Sequence, residues 1–210
     1  MPPVNQELVE AFAAKAAAVS AVVQEVPTMA AALQYVVDVC ASKAPSELLA
    51  DAPGVAQGPL SPNNVPTRVQ RVVAAPELND ADFAALAAAC EEKGFLCIRE
   101  GLRNYLAGID VGLSTGIVGV AASATCLLDT DKEDVRLTGM ISEVSMILLR
   151  KSDIYPDLPS IAQILRERMS SAPATYTTMV TGPSRTADIE RVAAVGVHGP
   201  LELHIILLED

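Results

Sequence analysis

Apolar side chains recur every three to four residues at the start of the chain, which is the period of an α-helix. The apolar face contains Leu8, Phe12, Ala16, Val19 and Val23. The spacing predicts one helix that begins at Asn5 or Gln6 and ends at Pro27. Thr28 is a suitable cap for a second helix, which is predicted to run from residue 29 to about residue 40.

The stretch from Ala52 to Pro66 is predicted to be a long exposed loop that follows a short strand at residues 48–50. Four prolines, two glycines and two asparagines lie within it, and these residues interrupt regular pairing. A loop of this length is unusual in a compact domain, so we expect it to be mobile or functional.

Short apolar runs then alternate with helical segments. Strands are predicted at residues 69–75, 95–98, 143–150, 175–180 and 204–208, with two more in 109–128 joined by a tight turn. Helices are predicted at 80–93, where Asn79 caps the start and Gly94 stops the end, and at 160–169. Residues 187–191 are predicted to form at most a short helix, and residues 131–134 a solvated turn. The alternation predicts an α/β fold with a mostly parallel sheet and helices on both faces.

The domain organisation follows from the same pattern. We expect a helical N-terminal segment and loop at residues 1–66, and one α/β domain at residues 67–210. Half of the 210 residues are apolar, which suffices for a sizeable core. Because the chain has no Trp and few other aromatic residues, that core must be built from Ala, Val, Leu and Ile.

Charge and hydropathy exclude several classes of partner. The net charge of -11 repels phosphate backbones, so no nucleic-acid partner is expected. No apolar run approaches the roughly 20 residues that a membrane span needs. The first ten residues contain no basic region ahead of an apolar stretch, so no secretory signal is predicted and a cytoplasmic location is expected.

The cysteines give no sign of a metal or a cofactor. Cys40, Cys90, Cys97 and Cys126 form no C-x-x-C pair, and their spacings match no zinc or iron–sulfur pattern. We interpret them as small buried apolar residues. The glycines between residues 108 and 119 match neither the dinucleotide-binding nor the P-loop pattern, so we predict no cofactor.

One candidate for ligand binding is the stretch TGPSRTADIE, residues 181–190, which follows a predicted apolar strand. Gly182 permits an unusual backbone angle, and Arg185 offers a planar fork for a carboxylate or phosphate. The candidate ligand residues here are Thr181, Gly182, Ser184, Arg185, Thr186 and Asp188. The alternative is a capped turn in which Thr186 caps a short helix and the acidic residues complement its positive end.

A second candidate is the stretch GVHGP, residues 196–200, in which His198 and Gly199 are the residues of interest. His198 lies between glycines and could act as an acid, a base or a hydrogen-bonding group near neutral pH. It could equally be a turn residue whose imidazole bonds backbone carbonyls. His204 begins an apolar strand and is interpreted as structural. Because strands of a parallel sheet end at one edge, we expect the loop at 181–188 and the His198 turn to converge on one pocket there.

The pair TGPSRTADIE and GVHGPLELHIILL resembles the C-terminal signature of the LUD domain family, and within it the lactate utilization protein C group. The resemblance is strongest over residues 175–208 and weaker over 69–149. It implies a fold similar to the NagB/RpiA/CoA-transferase group. It also implies a role in oxidising L-lactate to pyruvate beside two partner proteins, one or both of which carry iron–sulfur clusters. The C member lacks cluster cysteines, so this chain would be the accessory or ligand-binding component, and a small anionic ligand is expected.

The middle region departs from the family pattern. Gly112 to Thr115 stand where relatives usually have G-[IV]-T-G, and Ala122 replaces the acidic residue of an acidic-Thr-Gly-[TS] core. A following arginine is kept as Arg136, a further candidate ligand residue. The alternative function is a free-standing small-molecule enzyme of the CoA-transferase/methenyltetrahydrofolate-synthetase-like fold group that acts on an anionic substrate. A structural or interaction protein that has lost its site is a third alternative, which the Ala122 replacement leaves open.

Overall fold

The structure, a computed structural model, describes residues 4–48, 54–170, 175–187, 193–195 and 199–209. Within these ranges there are five α-helices: α1 (Gln6–Ala18), α2 (Met29–Ser42), α3 (Asp80–Glu92), α4 (Glu133–Ile141) and α5 (Ala162–Met169). The strands are β1 (Val22–Val26), β2 (Gln57–Leu60), β3 (Pro66–Arg68), β4 (Val72–Ala74), β5 (Leu96–Ile98), β6 (Ile109–Val120), β7 (Thr125–Asp129), β8 (Ser142–Arg150), β9 (Ile154–Tyr155), β10 (Thr177–Val180), β11 (Arg185–Ala187), β12 (Ala193–Val195) and β13 (Glu202–Leu208).

Six parallel strands form the centre of a nine-stranded sheet, in the order β1-β13-β8-β6-β4-β5. The remaining three strands extend the sheet beside the second half of β6. There β7 pairs antiparallel with β6, β10 pairs antiparallel with β7, and β9 lies parallel to β6. The predicted α/β fold with a mostly parallel sheet is therefore confirmed. β1 comes from residues 1–66, which we predicted to form a helical N-terminal segment and loop.

Apolar cores cover both faces of the central sheet. On one face, Met146 and Ile206 lie in the core formed with α2 and α3. On the other face, Ile147 and Ile205 share a core with Phe12 of α1. Consecutive residues of β8 and β13 thus point into different cores, and both strands are apolar along most of their length for this reason.

Side-chain caps fix the starts of the first three helices. The Asn5 side chain accepts a hydrogen bond from the backbone N–H of Glu7, Thr28 Oγ1 accepts one from Ala31, and Asn79 accepts one from Asp82. These bonds satisfy N–H groups that have no partner inside the helix. The predicted starts of all three helices are confirmed, as is Gly94 just beyond α3, with φ of +73°.

The first helix is shorter than predicted. It ends at Ala18, and residues 22–26 form β1 instead of a further turn of helix. Ser20 adopts φ of +65°, which ends the helix, and the β-branched Val22 and Val23 then pair with β13. The helical spacing of Val19 and Val23 was misleading because Val23 still packs into the α1 core as a strand residue.

The predicted loop at 52–66 contains a strand. β2 pairs antiparallel with β3, and the turn between them is closed by a hydrogen bond from the Ser61 N–H to the Val65 carbonyl. The Pro and Asn residues therefore form a hairpin turn rather than an unstructured connection. Most of the short strand predicted at 48–50 lies outside the described residues. The expected mobility of the loop stays a prediction.

Two further elements differ from the expectations. The residues predicted as a solvated turn begin α4, and Asp134 there accepts a hydrogen bond from the Leu102 N–H. Arg185 and Thr186 of the predicted loop form β11 together with Ala187, the first residue of the predicted short helix, and β11 pairs antiparallel with β12. In β1, tertiary pairing outweighs local propensity. The rest of that predicted helix, residues 188–191, lies outside the described ranges.

The four cysteines are free thiols. Cys40, Cys90 and Cys126 are buried as predicted, whereas Cys97 is half-buried. Burial raises the pKa of the Cys40 and Cys126 thiols to about 12, so these two thiols are unreactive near neutral pH. In the parts of the chain that the structure describes, no helix is long and apolar enough to cross a bilayer.

Candidate functional site

A chain of three hydroxyl groups joins the middle region to the signature loop. Ser123 Oγ lies 2.7 Å from Thr125 Oγ1, which lies 2.7 Å from Thr181 Oγ1. Ser123 lies in the β6–β7 turn and Thr125 begins β7; in the same turn, Ala122 stands where the resemblance expects an acidic residue. The structure thus brings one predicted ligand residue, Thr181, to the part of the middle region that departs from the family pattern.

The two signature stretches also lie next to each other. The Ser184 N–H donates to the Pro200 carbonyl over 3.2 Å. A Cβ atom added to Gly199 would lie 3.1 Å from the Ser184 Cβ atom, so only glycine fits without a shift of the neighbouring chain. Thr186 lies in β11. Asp188 and His198 lie outside the described residues. The expectation that they share one pocket with Ser184 therefore stays a prediction.

The edge of the sheet at which these stretches lie differs from the expectation. Gly182 packs against the Val19 carbonyl, which precedes β1, and Leu201 immediately precedes β13. Both neighbours are at the amino ends of parallel strands. We expected the carboxyl edge because we took the strand before the signature loop to be parallel. That strand is β10, which instead pairs antiparallel with β7.

Both predicted arginines bind the backbone of this chain. Arg185 donates to the Val19 carbonyl over 3.1 Å and to Ser20 Oγ. Arg136 donates to the carbonyls of Thr130 and Asp131 and lies over the ring of Tyr176. Tyr176 precedes β10 and Thr181 follows it, so the structure does not bring Arg136 to Thr181.

A cavity of about 430 Å³ lies at the opposite, carboxyl edge of the sheet, and we call it the carboxyl-edge cavity. Its walls come from the residues after β4, the middle of β6 and the ends of β8 and β13. The chain leaves β4 toward β5 on one side and leaves β6 toward β8 on the other. The cavity therefore lies where the strand order reverses, which is the usual ligand position in open α/β sheets.

Glu77 and Arg150 are the side chains of chemical interest in the carboxyl-edge cavity. Burial raises the pKa of the Glu77 carboxyl, and the Thr115 N–H, 2.8 Å from Glu77 Oε2, partly opposes this by bonding the charged form. Arg150 has no ion pair with any residue that the structure describes. Asp82 and Asp153 also line the cavity, so it combines one guanidinium with three carboxyl groups, of which that of Glu77 has a raised pKa.

Our sequence reasoning missed both residues. Glu77 lies between β4 and the Asn79 cap of α3. Its position in a loop that follows a buried parallel strand was the one sequence feature that could have identified it as a candidate. In the sequence, Arg150 is only the last residue of the strand predicted at residues 143–150, and nothing there marks it as a ligand residue. No group of three or more His, Cys, Asp or Glu side chains in the described ranges is placed to hold a metal ion.

The whole arrangement has counterparts among known proteins. The profile of the LUD domain matches residues 9–208, so this chain belongs to the LUD domain family. A solved DUF162 family protein from Deinococcus radiodurans has a similar fold, with a TM-score of 0.57 over 99% of both chains at 16% identity.

Curated relatives match a smaller part of the chain. The uncharacterized protein YkgG of Escherichia coli K12 is 32% identical over 102 residues, which are 48% of this chain and 44% of that protein. Lactate utilization protein C of Bacillus subtilis is 30% identical over 103 residues, 48% of this chain and 43% of that protein. The matches thus span less than half the length of these relatives.

Proposed function

We propose that this chain is the accessory, ligand-binding component of an L-lactate utilization system that oxidises lactate to pyruvate. One observation carries the proposal: the chain shares a family and about a third of its aligned residues with proteins named lactate utilization protein C. The two signature stretches that prompted the resemblance are adjacent at Ser184 and Gly199.

The proposed partners are iron–sulfur proteins of the same system. Oxidation of lactate moves two electrons, and this chain offers no cluster-spaced cysteines to receive them: Cys40 and Cys126 are buried, with their pKa values raised to about 12. Electron transfer is therefore assigned to partners, and this chain is assigned to binding. We place the proposed ligand site at Thr181, Gly182, Ser184, Thr186, His198 and Gly199.

Affinity capture from source cells grown on L-lactate tests the proposal. The tagged full chain should retain proteins that contain iron and acid-labile sulfide, and the retained complex should reduce an artificial electron acceptor when L-lactate is added. A control capture from cells grown without lactate measures the background. A retained fraction without iron and without lactate-dependent reduction would contradict the proposal.

The second candidate is a free-standing enzyme that acts on an anionic substrate in the carboxyl-edge cavity. The raised pKa of Glu77 favours it, because a carboxyl that holds its proton to higher pH than a free glutamate suits general acid–base catalysis. Arg150 would bind the anionic group. Substrate turnover by the purified chain alone, lost in Glu77→Gln, would support this candidate. Turnover that survives in Glu77→Gln would count against Glu77 as the catalytic group.

A further inference from the structure

A second cavity, of about 520 Å³, opens at the amino ends of β6 and β8, and we call it the amino-edge cavity. Five separate segments form its walls: residues 44–47 after α2, the β2–β3 turn, the residues before β6, the junction of α4 with β8, and the residues before β13. The volume matches that of sites that take small organic molecules. It shares Gly199 with the proposed ligand site, and the proposed function gives its other walls no role.

Three large apolar side chains converge on the opening of this cavity. Leu106, Met140 and Leu201 are 55%, 63% and 45% exposed, and each comes from a different segment. Single exposed apolar residues are ordinary on protein surfaces, but a group of them around one concave opening marks a binding surface. The walls therefore favour a ligand with an apolar body.

The polar part of the cavity is acidic. Glu47 and Glu143 are the charged residues among those lining it. Lys43 lies beneath and contacts Asp110 Oδ1 at 2.9 Å and Glu143 Oε2 at 3.0 Å, so one ammonium group faces two carboxylates. These two carboxylates balance the charge of Lys43, and Glu47 adds a further carboxylate at the opening. The carboxylates at the opening favour a positively charged group there.

We propose that the amino-edge cavity binds a small organic cation: an ammonium group carried on an apolar body. Glu143 uses one oxygen for Lys43 and Ser46, and a carboxylate has further acceptor positions for ammonium N–H groups. Glu47 supplies a second carboxylate at the same opening. The apolar body would cover Leu106, Met140 and Leu201, and so remove their surface from water.

Calorimetric titration of the full chain with three six-carbon probes tests the proposal, because the probes have similar alkyl chains and head groups that are positive, neutral and negative. Hexylammonium should bind most tightly, 1-hexanol more weakly, and hexanoate least. Glu143→Gln should weaken hexylammonium binding about tenfold, as expected for loss of a charge-assisted hydrogen bond, and should leave 1-hexanol unchanged. Met140→Ser should weaken both probes together.

Two variants serve as controls. Glu167→Gln removes an exposed carboxylate from α5, away from the cavity, and should change nothing. Glu47→Gln also removes one carboxylate charge from the cavity but leaves the Lys43–Glu143 contact intact. It replaces Glu143→Gln if circular dichroism shows that Glu143→Gln does not fold. Equal or tighter binding of hexanoate, no detectable binding of hexylammonium, or equal effects of Glu47→Gln and Glu167→Gln would each overturn the proposal.

Discussion

Lys43 Nζ lies 2.9 Å from Asp110 Oδ1, and the Asp110 side chain is fully buried at the start of β6. The other carboxylate oxygen, Oδ2, accepts a hydrogen bond from the Val72 N–H over 2.8 Å. The pair therefore ties the end of α2 to two adjacent strands of the central sheet. Both oxygens of Asp110 are satisfied, which is the condition under which a buried carboxylate is tolerated.

Removing this charge should be strongly destabilising. Asp110→Asn leaves the Lys43 ammonium facing Glu143 alone, and breaking a buried ion pair typically costs about 3–5 kcal/mol. The free energy of unfolding, measured with urea, should fall by that amount. Glu133→Gln, which breaks the exposed Arg103–Glu133 pair, is the matched control and should cost at most about 1 kcal/mol. Equal costs for the two variants would contradict a structural role for Asp110.

Glu77 should make stability depend on pH. Because its pKa is raised in the folded protein, the folded state holds this proton to higher pH than the unfolded state does. Its contribution to the free energy of unfolding therefore falls as pH rises from about 4, the ordinary glutamate value, through the raised pKa.

Glu77→Gln cannot titrate, and the Gln carbonyl oxygen can still accept from the Thr115 N–H. The stability of this variant relative to the parent should increase with pH across that window and then level off. Urea unfolding of both proteins from pH 4 to pH 8 measures the difference. A difference that stays constant, or that decreases with pH, would show that burial does not raise this pKa.

The ends of α1 and α3 have the same backbone geometry, but different residue types occupy the left-handed position that follows each helix. After α1, the Ala21 N–H bonds the Ala16 carbonyl, and Ser20 occupies the left-handed position; after α3, Gly94 occupies it. Ser20→Gly should raise the free energy of unfolding by at most about 0.5–1 kcal/mol, because glycine adopts positive φ at no steric cost and the hydrogen bond from Arg185 to Ser20 Oγ that is lost is an exposed one.

Gly94→Ala is the opposite test at the same position of the motif. A Cβ atom there would meet no atom within 4 Å, so only the backbone angle is penalised. Stability should fall by about 1 kcal/mol. Thermal unfolding of both variants gives the comparison, and changes of the same sign would refute this account of the two helix ends.

The fold was predictable where local signals and tertiary packing agree. Asn79 and Gly94 delimit α3 in the sequence, and the structure places the helix between them. β1 was not predictable by the same means, because Val19 and Val23 keep a helical spacing although Val22–Val26 pair with β13. The pairing partner is some 180 residues away in sequence, and no local pattern carries that information.

The candidate site was predictable only in part. The neighbouring signature stretches were identifiable as motifs, and the contact of Ser184 with Gly199 brings them together. The edge at which they lie depends on the antiparallel pairing of β10, which periodicity does not reveal. The polar cluster of Lys43, Asp110 and Glu143 assembles residues that are far apart in the sequence and match no motif.

The hydroxyl chain offers a test of the proposed ligand site. Thr181→Val removes the Thr181 hydroxyl but keeps the shape of the side chain, so it should weaken binding of L-lactate or pyruvate about tenfold with little change in stability. Thr178→Val is the matched control, since it breaks the similar Thr130–Thr178 contact in β10, the strand that Thr181 follows. Calorimetric titration gives both affinities, and equal affinities for the two variants would argue against Thr181 as a ligand residue.

Growth of a deletion strain tests the proposed function most directly. Source cells that lack this gene should fail to grow on L-lactate as the carbon source and should grow normally on pyruvate, because the proposed defect lies before pyruvate is formed. The gene for the full chain should restore growth on L-lactate when it is returned. Unimpaired growth of the deletion strain on L-lactate, or an equal defect on lactate and pyruvate, would contradict a role in lactate oxidation.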